Sequence, residues 1–360
     1  MKTYRLYIFL AFFAMATFSS CSSSGKSGLK DIMSLPVYSM ENMVQYNHPE
    51  LITGNPWEFH RVGDNFFVFN GMPTSAALVF RMSDCHFLGE FMLKGMGPGE
   101  CLTPRYAGCS KGEDTVYMYD TGKSKMAKFE IPTFQTDTLK YRLVGEKRIS
   151  DNGMNLMTVR LDNGLAVSMR YSGTRHLFTL YGEEMDSLCT FGSLPLPVAD
   201  EKLKSLVCFQ GIMTSEGNTV YFGCKFLPYL CAYEVNGKDD IRLKFEHNYL
   251  PTPYTYTERI VIDRERNTES FSDIKINGDY IWTTFMGCTA NEVIEDPEGR
   301  GYAEHLLVFE KKDGLPVAKF KFPNKGSHIC FSKDGNELYH FTTDMNIDVV
   351  KVDELLSVIE

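Results

Sequence analysis

The stretch Glu216-Gly217-Asn218-Thr219-Val220-Tyr221-Phe222 places a tight turn directly before a run of β-branched and aromatic residues. Glycine and asparagine tolerate the positive φ that two-residue hairpin turns require, and the run that follows has a high strand propensity. The pattern therefore predicts a β-hairpin around Gly217.

The same pattern occurs five more times along the chain. The glycines that mark the six turns are Gly63, Gly112, Gly164, Gly217, Gly278 and Gly335. They lie 49, 52, 53, 61 and 57 residues apart, close to the ~40 to 50 residues of a four-stranded propeller blade with some loop insertions. Third and fourth strand-like runs follow the hairpins, as at 125–131 and 138–144. The sequence predicts an all-β fold, a six-bladed β-propeller of four-stranded antiparallel blades.

The last unit is one strand short. It supplies only the runs 327–333, 337–342 and 347–352, whereas the run 37–44 precedes the first unit without a partner. A ring of sheets must hide its strand edges. We therefore expect this N-terminal run to close the last blade.

The N-terminus has the pattern of an export signal. Lys2 and Arg5 precede an apolar run from 6 to 18, which is too short for a stable transmembrane helix. Ser19-Ser20-Cys21 then resembles the bacterial lipobox, with Phe18 in the place of the usual leucine. We predict a lipoprotein signal peptide over 1–20, lipid on Cys21 and a tether over 21–35. Cleavage nearby without a lipid is the alternative.

Charge argues against two kinds of partner. Without residues 1–20 the chain has 35 basic and 46 acidic residues, a net charge of −11, and no basic stripe. Nucleic-acid binding and an electrostatic grip on anionic lipid both need clustered Lys or Arg. Contact with a membrane is therefore expected through the lipid on Cys21 alone.

Gly95-Met96-Gly97-Pro98-Gly99-Glu100 reverses the chain between two strand-like runs. It connects two repeats or cradles a ligand, but it lacks the Gly-Lys-Ser/Thr of a phosphate loop. Together with the lipobox, the strand 307–309 and the turn 313–316, it resembles TolB-like six-bladed β-propeller lipoproteins of Bacteroides-type bacteria. Cys101 stands where that family commonly has Phe. The resemblance spans roughly 30–355, and it implies a propeller fold, expected over 36–360, and an envelope location. Members of this family mostly lack an assigned reaction, so the resemblance assigns no catalytic residues.

No motif points to a cofactor or a metal. The nine cysteines after Cys21 form no Cys-x-x-Cys pair, and the eight histidines lack ligand spacing. We expect buried free thiols rather than a disulfide framework, with Cys208 and Cys224 as the pair that a hairpin around Gly217 could bring together. Six segments are expected to be innermost: 58–60, 108–110, 157–159, 207–209, 271–273 and 327–329. They carry only two acidic residues, Glu58 and Asp273. This argues against a hard-metal centre and leaves a two-carboxylate hydrolase open.

Four long connections are expected on one face of the ring: 95–100, 193–205, the tyrosine-rich 249–259 and 286–303. Long loops on a rigid scaffold concentrate binding residues. The candidates for a ligand or partner site are Arg105, Tyr254, Tyr256, Arg259, Asn291 and Arg300. Loops that only cover the channel and pack on the core are the alternative. The expected function is a non-catalytic module for a protein or glycan, on the periplasmic side of the outer membrane; the alternative is a hydrolase or lyase acting on carbohydrate.

Overall fold

The computed structural model describes residues 31–46, 56–70, 74–131, 137–149, 155–170, 175–196, 207–256, 260–295 and 302–359. The predicted signal peptide and Cys21 lie outside these ranges, so the division into signal, tether and propeller stays a prediction. Within the described ranges, no helix has the length and apolar character to cross a bilayer.

Four sheets each contain four consecutive antiparallel strands. The first sheet contains β3 (Glu58–Val62), β4 (Asn65–Phe69), β5 (Ser75–Arg81) and β6 (Phe87–Leu93). The second contains β7 (Pro104–Cys109), β8 (Thr115–Asp120), β9 (Lys125–Glu130) and β10 (Arg142–Arg148). The third contains β11 (Asn155–Arg160), β12 (Ala166–Arg170), β13 (Phe178–Tyr181) and β14 (Ser187–Phe191). The fourth contains β15 (Gly211–Glu216), β16 (Thr219–Cys224), β17 (Tyr229–Gly237) and β18 (Asp240–Asn248).

The remaining long strands form one eight-stranded sheet together with two short N-terminal strands. Its members are β1 (Val37–Ser39), β2 (Val44–Tyr46), β21 (Phe271–Asn277), β22 (Tyr280–Phe285), β23 (Ala303–Glu310), β24 (Pro316–Phe331), β25 (Glu337–Thr342) and β26 (Ile347–Lys351). A small hairpin of β19 (Tyr254–Tyr256) and β20 (Ile260–Ile262) precedes it, and the two short α-helices are α1 (Ala290–Glu295) and α2 (Val352–Leu356).

This sheet corrects the expectation of six separate four-stranded blades, because the described residues form only four of them. The 16-residue strand β24 is the reason. Its first part pairs with β23, its last part pairs with β25, and Gly326 pairs with both Ala303 and Thr342. The strand passes from one set of four strands to the next without a turn, so the two sets share a continuous backbone ladder.

The described strands have a β-propeller arrangement. The first strands of the units, β3, β7, β11, β15 and β21, contact one another in turn, and β24 completes the ring by contacting both β21 and β3. Aromatic packing reinforces the closure, since the rings of Phe59 on β3 and Phe341 on β25 lie 5.6 Å apart. The sheets therefore surround a common axis with their first strands innermost.

The N-terminal run contributes two strands instead of one. β2 pairs antiparallel with β26 and covers the edge of the last unit, with Gln45 opposite Asp348. β1 pairs parallel with β24, with Tyr38 opposite Phe320. The run expected over 37–44 is thus divided, and the strand beside β26 begins only at Val44.

All six glycine-marked turns join the first and second strands of their units, as expected. Around Gly217, Glu216 pairs with Thr219, which leaves a two-residue turn. Gly217 has φ 58°, in the left-handed region that favours glycine. In the second unit Glu113, with φ 57°, takes the left-handed position beside Gly112.

The stretch 95–100 is a structural connection between the first and second sheets. Gly97 N–H donates to the Glu100 carboxylate at 2.7 Å, and Lys123 Nζ donates to the carbonyls of Gly97 (3.2 Å) and Glu100 (2.7 Å). Gly95 has φ 154°, a backbone conformation that other residues rarely adopt, and a Cβ there would also displace the Glu100 carboxylate, so this position favours glycine. The polar groups of the stretch satisfy one another, which favours a connection over a ligand cradle.

All nine described cysteines are free thiols, and five of them are buried. Cys208 does not pair with Cys224 across the hairpin, because the two-residue turn sets Gly211 opposite Cys224. The segment 207–209 forms a 3₁₀ turn before the strand. The Cys224 thiol instead donates to the carbonyl of Gln210 at 3.4 Å.

Candidate functional site

The axis of the ring holds two cavities, one at each end of the innermost strands. The cavity at the strand starts is about 530 Å³, and we call it the link mouth; its lining includes Trp57, Glu58, Arg105, Met157, Gln210, Lys225, Asp273, Tyr302 and His328. The cavity at the strand ends is about 360 Å³, and we call it the hairpin mouth; its lining includes Arg61, Cys109, Arg160, Thr214, Glu216, Lys275, Ser332 and Lys333. His60 and Met213 line both cavities and form the waist between them.

Glu58, at the start of β3, is buried beneath the link mouth. Its carboxylate accepts hydrogen bonds from Arg105 Nη1 at 3.1 Å and from the backbone N–H of Tyr106 at 2.9 Å. Burial alone would raise the pKa of Glu58, but the contact with His60 and the charge of Arg105 outweigh it and place the pKa below its ordinary value. This carboxylate is therefore ionised at neutral pH.

Asp273, on β21, is the second buried carboxylate. It accepts hydrogen bonds from Lys275 Nζ at 2.6 Å and from the backbone N–H groups of Ile274 at 2.8 Å and Ile329 at 2.9 Å. Burial opposes ionisation, yet the charge of Lys275 and the contact with His328 hold the pKa of Asp273 well below its ordinary value. The Ile329 bond also ties β21 to β24, so this carboxylate holds two innermost strands together.

His60 occupies the waist in its neutral form. Burial and the positive charge of Lys275 lower its pKa below the ordinary value of 6.5. The ring stacks on Tyr106 at 4.0 Å between centroids. Its Nε2 lies 3.5 Å from a Glu58 oxygen, too far for a strong hydrogen bond, and has no other partner in the described chain.

Hydrogen-bond donors at the link mouth remain open. Arg105 uses Nη1 on Glu58 while its side chain stays 31% exposed. Lys225, exposed at the end of the fourth sheet's second strand, forms no ion pair within the described ranges. The indole N–H of Trp57 is buried and has no partner among the described residues. The link mouth thus combines carboxylates that the protein already holds with donors that remain open.

At the hairpin mouth the charged side chains contact one another. Arg61 pairs with Glu113 at 2.6 Å, with Lys333 of the last unit 3.9 Å from the same carboxylate. Glu216 pairs with Lys311 at 3.0 Å. The Arg160 guanidinium lies over the Tyr117 ring at 4.7 Å. These contacts join different units at the rim.

The structure separates the residues predicted for the site. Arg105 lines the link mouth. Tyr254 packs beside the core of the third and fourth sheets, which favours the packing alternative for the tyrosine loop. Asn291 lies in α1, and its backbone N–H donates to the Arg264 carbonyl at 3.4 Å. Tyr256 lies in β19; Arg259 and Arg300 fall outside the described residues.

Sequence reasoning identified Glu58, Asp273 and the region around His328 as innermost, and all three line the link mouth. It missed Lys225 and Trp57. Lys225 directly follows the strand after the Gly217 turn. Its position on the same face as the links was therefore available from the repeat pattern. The expected innermost segment 207–209 was wrong, because the strand begins at Gly211.

Within the described residues, no group of three or more His, Cys, Asp or Glu side chains is arranged to hold a metal ion. The two acidic residues of the link mouth are each bonded to a cation and to backbone N–H groups. Their bonding capacity is directed to the protein itself.

The fold and the polar channel define the class: an all-β propeller of antiparallel blades. No protein-family profile and no curated protein sequence matches the chain. Among solved structures, it is similar to a Bacteroides fragilis protein described as exported (10% identity, 83% of this chain and 82% of that chain, TM-score 0.49). It is also similar to hydrazine synthase of Kuenenia stuttgartiensis (11% identity, 87% of this chain and 82% of that chain, TM-score 0.48). A third similar structure is BamB of Moraxella catarrhalis (10% identity, 81% of this chain and 71% of that chain, TM-score 0.39). Such identities carry no information on ligand or reaction.

Proposed function

We propose that the chain is a six-bladed propeller in which β21–β24 and β24–β26 with β2 are the fifth and sixth blades. The two-sided pairing of β24 and the ring of six innermost strands support this count. Gln45→Pro removes a backbone donor from the closing strand, so we expect a lower melting temperature and association through the freed edge of β26. Gln45→Ala keeps the backbone and is the control. Equal melting of the two variants would show that β2 does not close the ring.

The proposed function is a non-catalytic binding module of the cell envelope, carried by a lipid on Cys21. The main support for this function is the link mouth, where innermost strands of every unit and residues of several loops surround one cavity of about 530 Å³. That volume suits a small polar ligand or the tip of a larger partner. Mass spectrometry of the mature N-terminus tests the anchor, and an unmodified Cys21 would contradict it.

The chemistry of the two carboxylates supports binding over the alternative, a carbohydrate hydrolase. A hydrolase with two carboxylates needs one of them protonated at working pH, so that it can act as a general acid. Here the pKa values of both Glu58 and Asp273 are lowered, and both groups accept bonds from backbone N–H groups. They are suited to holding the strands and shaping the cavity.

A steric test examines the site without assuming the ligand's charge. Gln210 lies directly before β15, and Gln210→Trp fills the link mouth. Thr214 lies within β15, and Thr214→Trp fills the hairpin mouth. Binding of the mature protein to an array of neutral and acidic glycans and short peptides is measured for the parent and both variants. We expect only Gln210→Trp to abolish binding. Loss only with Thr214→Trp, or no binding by the parent, would overturn the proposal.

A further inference from the structure

The acceptors and donors of the link mouth are unequal. Glu58 and Asp273 together accept five hydrogen bonds from protein groups: Arg105, Tyr106 N–H, Lys275, Ile274 N–H and Ile329 N–H. Both carboxylates are therefore already held by donors of the protein, Asp273 more fully than Glu58.

The donors remain available. Arg105 has Nε and Nη2 beyond its bond to Glu58, and Lys225 has its ammonium group. Gln210 also lines the cavity, and its side-chain amide forms no hydrogen bond within the described ranges. Two cations from different units thus line one cavity, and the neutral donor lies beside Lys225 in the fourth unit, where the Lys225 N–H donates to the Gln210 carbonyl at 2.8 Å. An acceptor-rich ligand would satisfy them.

The charges around the link mouth also favour an anionic ligand. Lys275 lies beneath the cavity and compensates Asp273, and Lys94 lies 5.7 Å from the Trp57 ring at its rim. The carboxylates near them are Glu58, Asp273 and Glu269, and the last interacts electrostatically with Lys225. With Arg105 and Lys225, the four cations outnumber these three carboxylates, although the whole chain carries a net charge of −9. The charges of Arg105 and Lys275 contribute to the lowered pKa values of Glu58 and Asp273. The same field favours a further anion.

From these observations we infer that the link mouth binds a small polar molecule through a carboxylate, held by Arg105 and Lys225, with Gln210 donating to a neighbouring oxygen. This inference rests on the proposed function and specifies its ligand class. Arg matches the planar carboxylate with paired N–H donors. Because the two cations come from separate units and the third donor is uncharged, they fit a carboxylate with adjoining hydroxyl or amide oxygens better than a compact dianion.

The test compares ligands that differ only in the carboxylate. Binding of the mature full chain to D-glucuronate and D-galacturonate is measured by calorimetry beside D-glucose and D-galactose, which have a hydroxymethyl group in its place. N-acetyl dipeptides with a free carboxylate form a second arm, and inorganic phosphate controls for general anion binding. We expect at least one carboxylate class to bind, with its neutral counterpart about tenfold or more weaker.

Variants locate the interaction. Lys225→Gln and Arg105→Gln should each weaken carboxylate binding about tenfold or more, and binding should fall with added salt. The matched controls, Lys333→Gln and Arg160→Gln at the hairpin mouth, should leave it unchanged. Arg105→Gln also removes a hydrogen-bond donor from buried Glu58, so it can change stability as well as binding. Lys225 is exposed, so Lys225→Gln tests binding without that effect.

The outcomes separate the two proposals. Binding of neutral sugars or capped peptides that Gln210→Trp abolishes, without preference for carboxylates, would overturn the ligand class and keep the binding module. Carboxylate binding unaffected by Lys225→Gln and Arg105→Gln, or equal binding of phosphate, would also overturn it. No binding of any probe at millimolar concentration would count against the ligand class, and no binding across the glycan and peptide array would count against the function.

Discussion

The two mouths of the channel are built from the same six strands, yet they use charge differently. At the hairpin mouth, Arg61 and Lys333 contact Glu113 and form part of the rim. At the link mouth, the carboxylates are buried below the cavity, while Arg105 and Lys225 remain available at its wall. The difference indicates that the charged groups of the hairpin end stabilise the ring, whereas the link end has hydrogen-bond donors available for a ligand.

Removal of the Asp273 carboxylate gives the largest expected effect. Asp273→Ala leaves Lys275 and two backbone N–H groups without their acceptor in a buried site, so we expect a loss of about 3–5 kcal/mol in the free energy of unfolding. Glu216→Ala at the hairpin mouth removes a half-exposed ion pair, and we expect a loss below about 1 kcal/mol. Urea unfolding measures both. Similar losses would show that the two mouths do not differ in this way.

The waist between the mouths gives a prediction for pH. The lowered pKa of His60 means that the unfolded chain binds a proton near pH 6.5 while the folded protein resists it, so stability falls as the pH drops below 6.5. We expect His60→Gln to recover up to about 2 kcal/mol of that loss at pH 5. Chemical unfolding at pH 7 and pH 5 measures the change. His86→Gln, in an exposed loop, is the control, and an equal recovery there would contradict the assignment to the waist.

Two glycines of the hairpin turns, Gly335 and Gly217, test how tightly the turns are packed at the hairpin end. A Cβ at Gly335, where φ is 76°, would lie 2.4 Å from Asn277 Oδ1, whereas at Gly217, where φ is 58°, nothing lies within 4 Å. Both substitutions by alanine force a left-handed backbone, at about 1 kcal/mol. Gly335→Ala should cost about 2 kcal/mol because it also displaces Asn277, which donates to the Gly335 carbonyl. Thermal unfolding of both variants measures the difference, and equal melting would argue against a tightly packed rim.

The smallest expected effect distinguishes the two lysines of the channel. Lys225→Gln should change the free energy of unfolding by less than about 0.5 kcal/mol, because the side chain is exposed and forms no ion pair within the described ranges. Lys275→Gln should cost about 2 kcal/mol, because it removes the partner of buried Asp273. Unfolding in urea measures both variants. A large loss with Lys225→Gln would show that this lysine serves the fold and would remove the basis for a ligand role.

Much of the architecture could be predicted from local pattern. Each turn such as Glu216-Gly217-Asn218 determines its hairpin through backbone φ and strand propensity, which depend on neighbouring residues. The candidate site was harder to predict from the sequence. Arg105 and the two acidic residues were identified from their positions in the repeat, but Tyr254 packs beside the core, and no local signal distinguishes a loop tyrosine that packs from one that binds.

By itself, the sequence determined the strand content, the six hairpins and the scarcity of acidic residues along the channel, because these depend on short-range geometry and composition. Only the tertiary structure decided that β24 belongs to two sets of strands, that β2 lies beside β26, and that Glu58 and Asp273 are held by protein donors while Lys225 is open. Those outcomes depend on register and on which distant side chains meet across the axis. Contacts between residues more than 50 positions apart, such as Asp273 with Ile329, have no local signature in the chain.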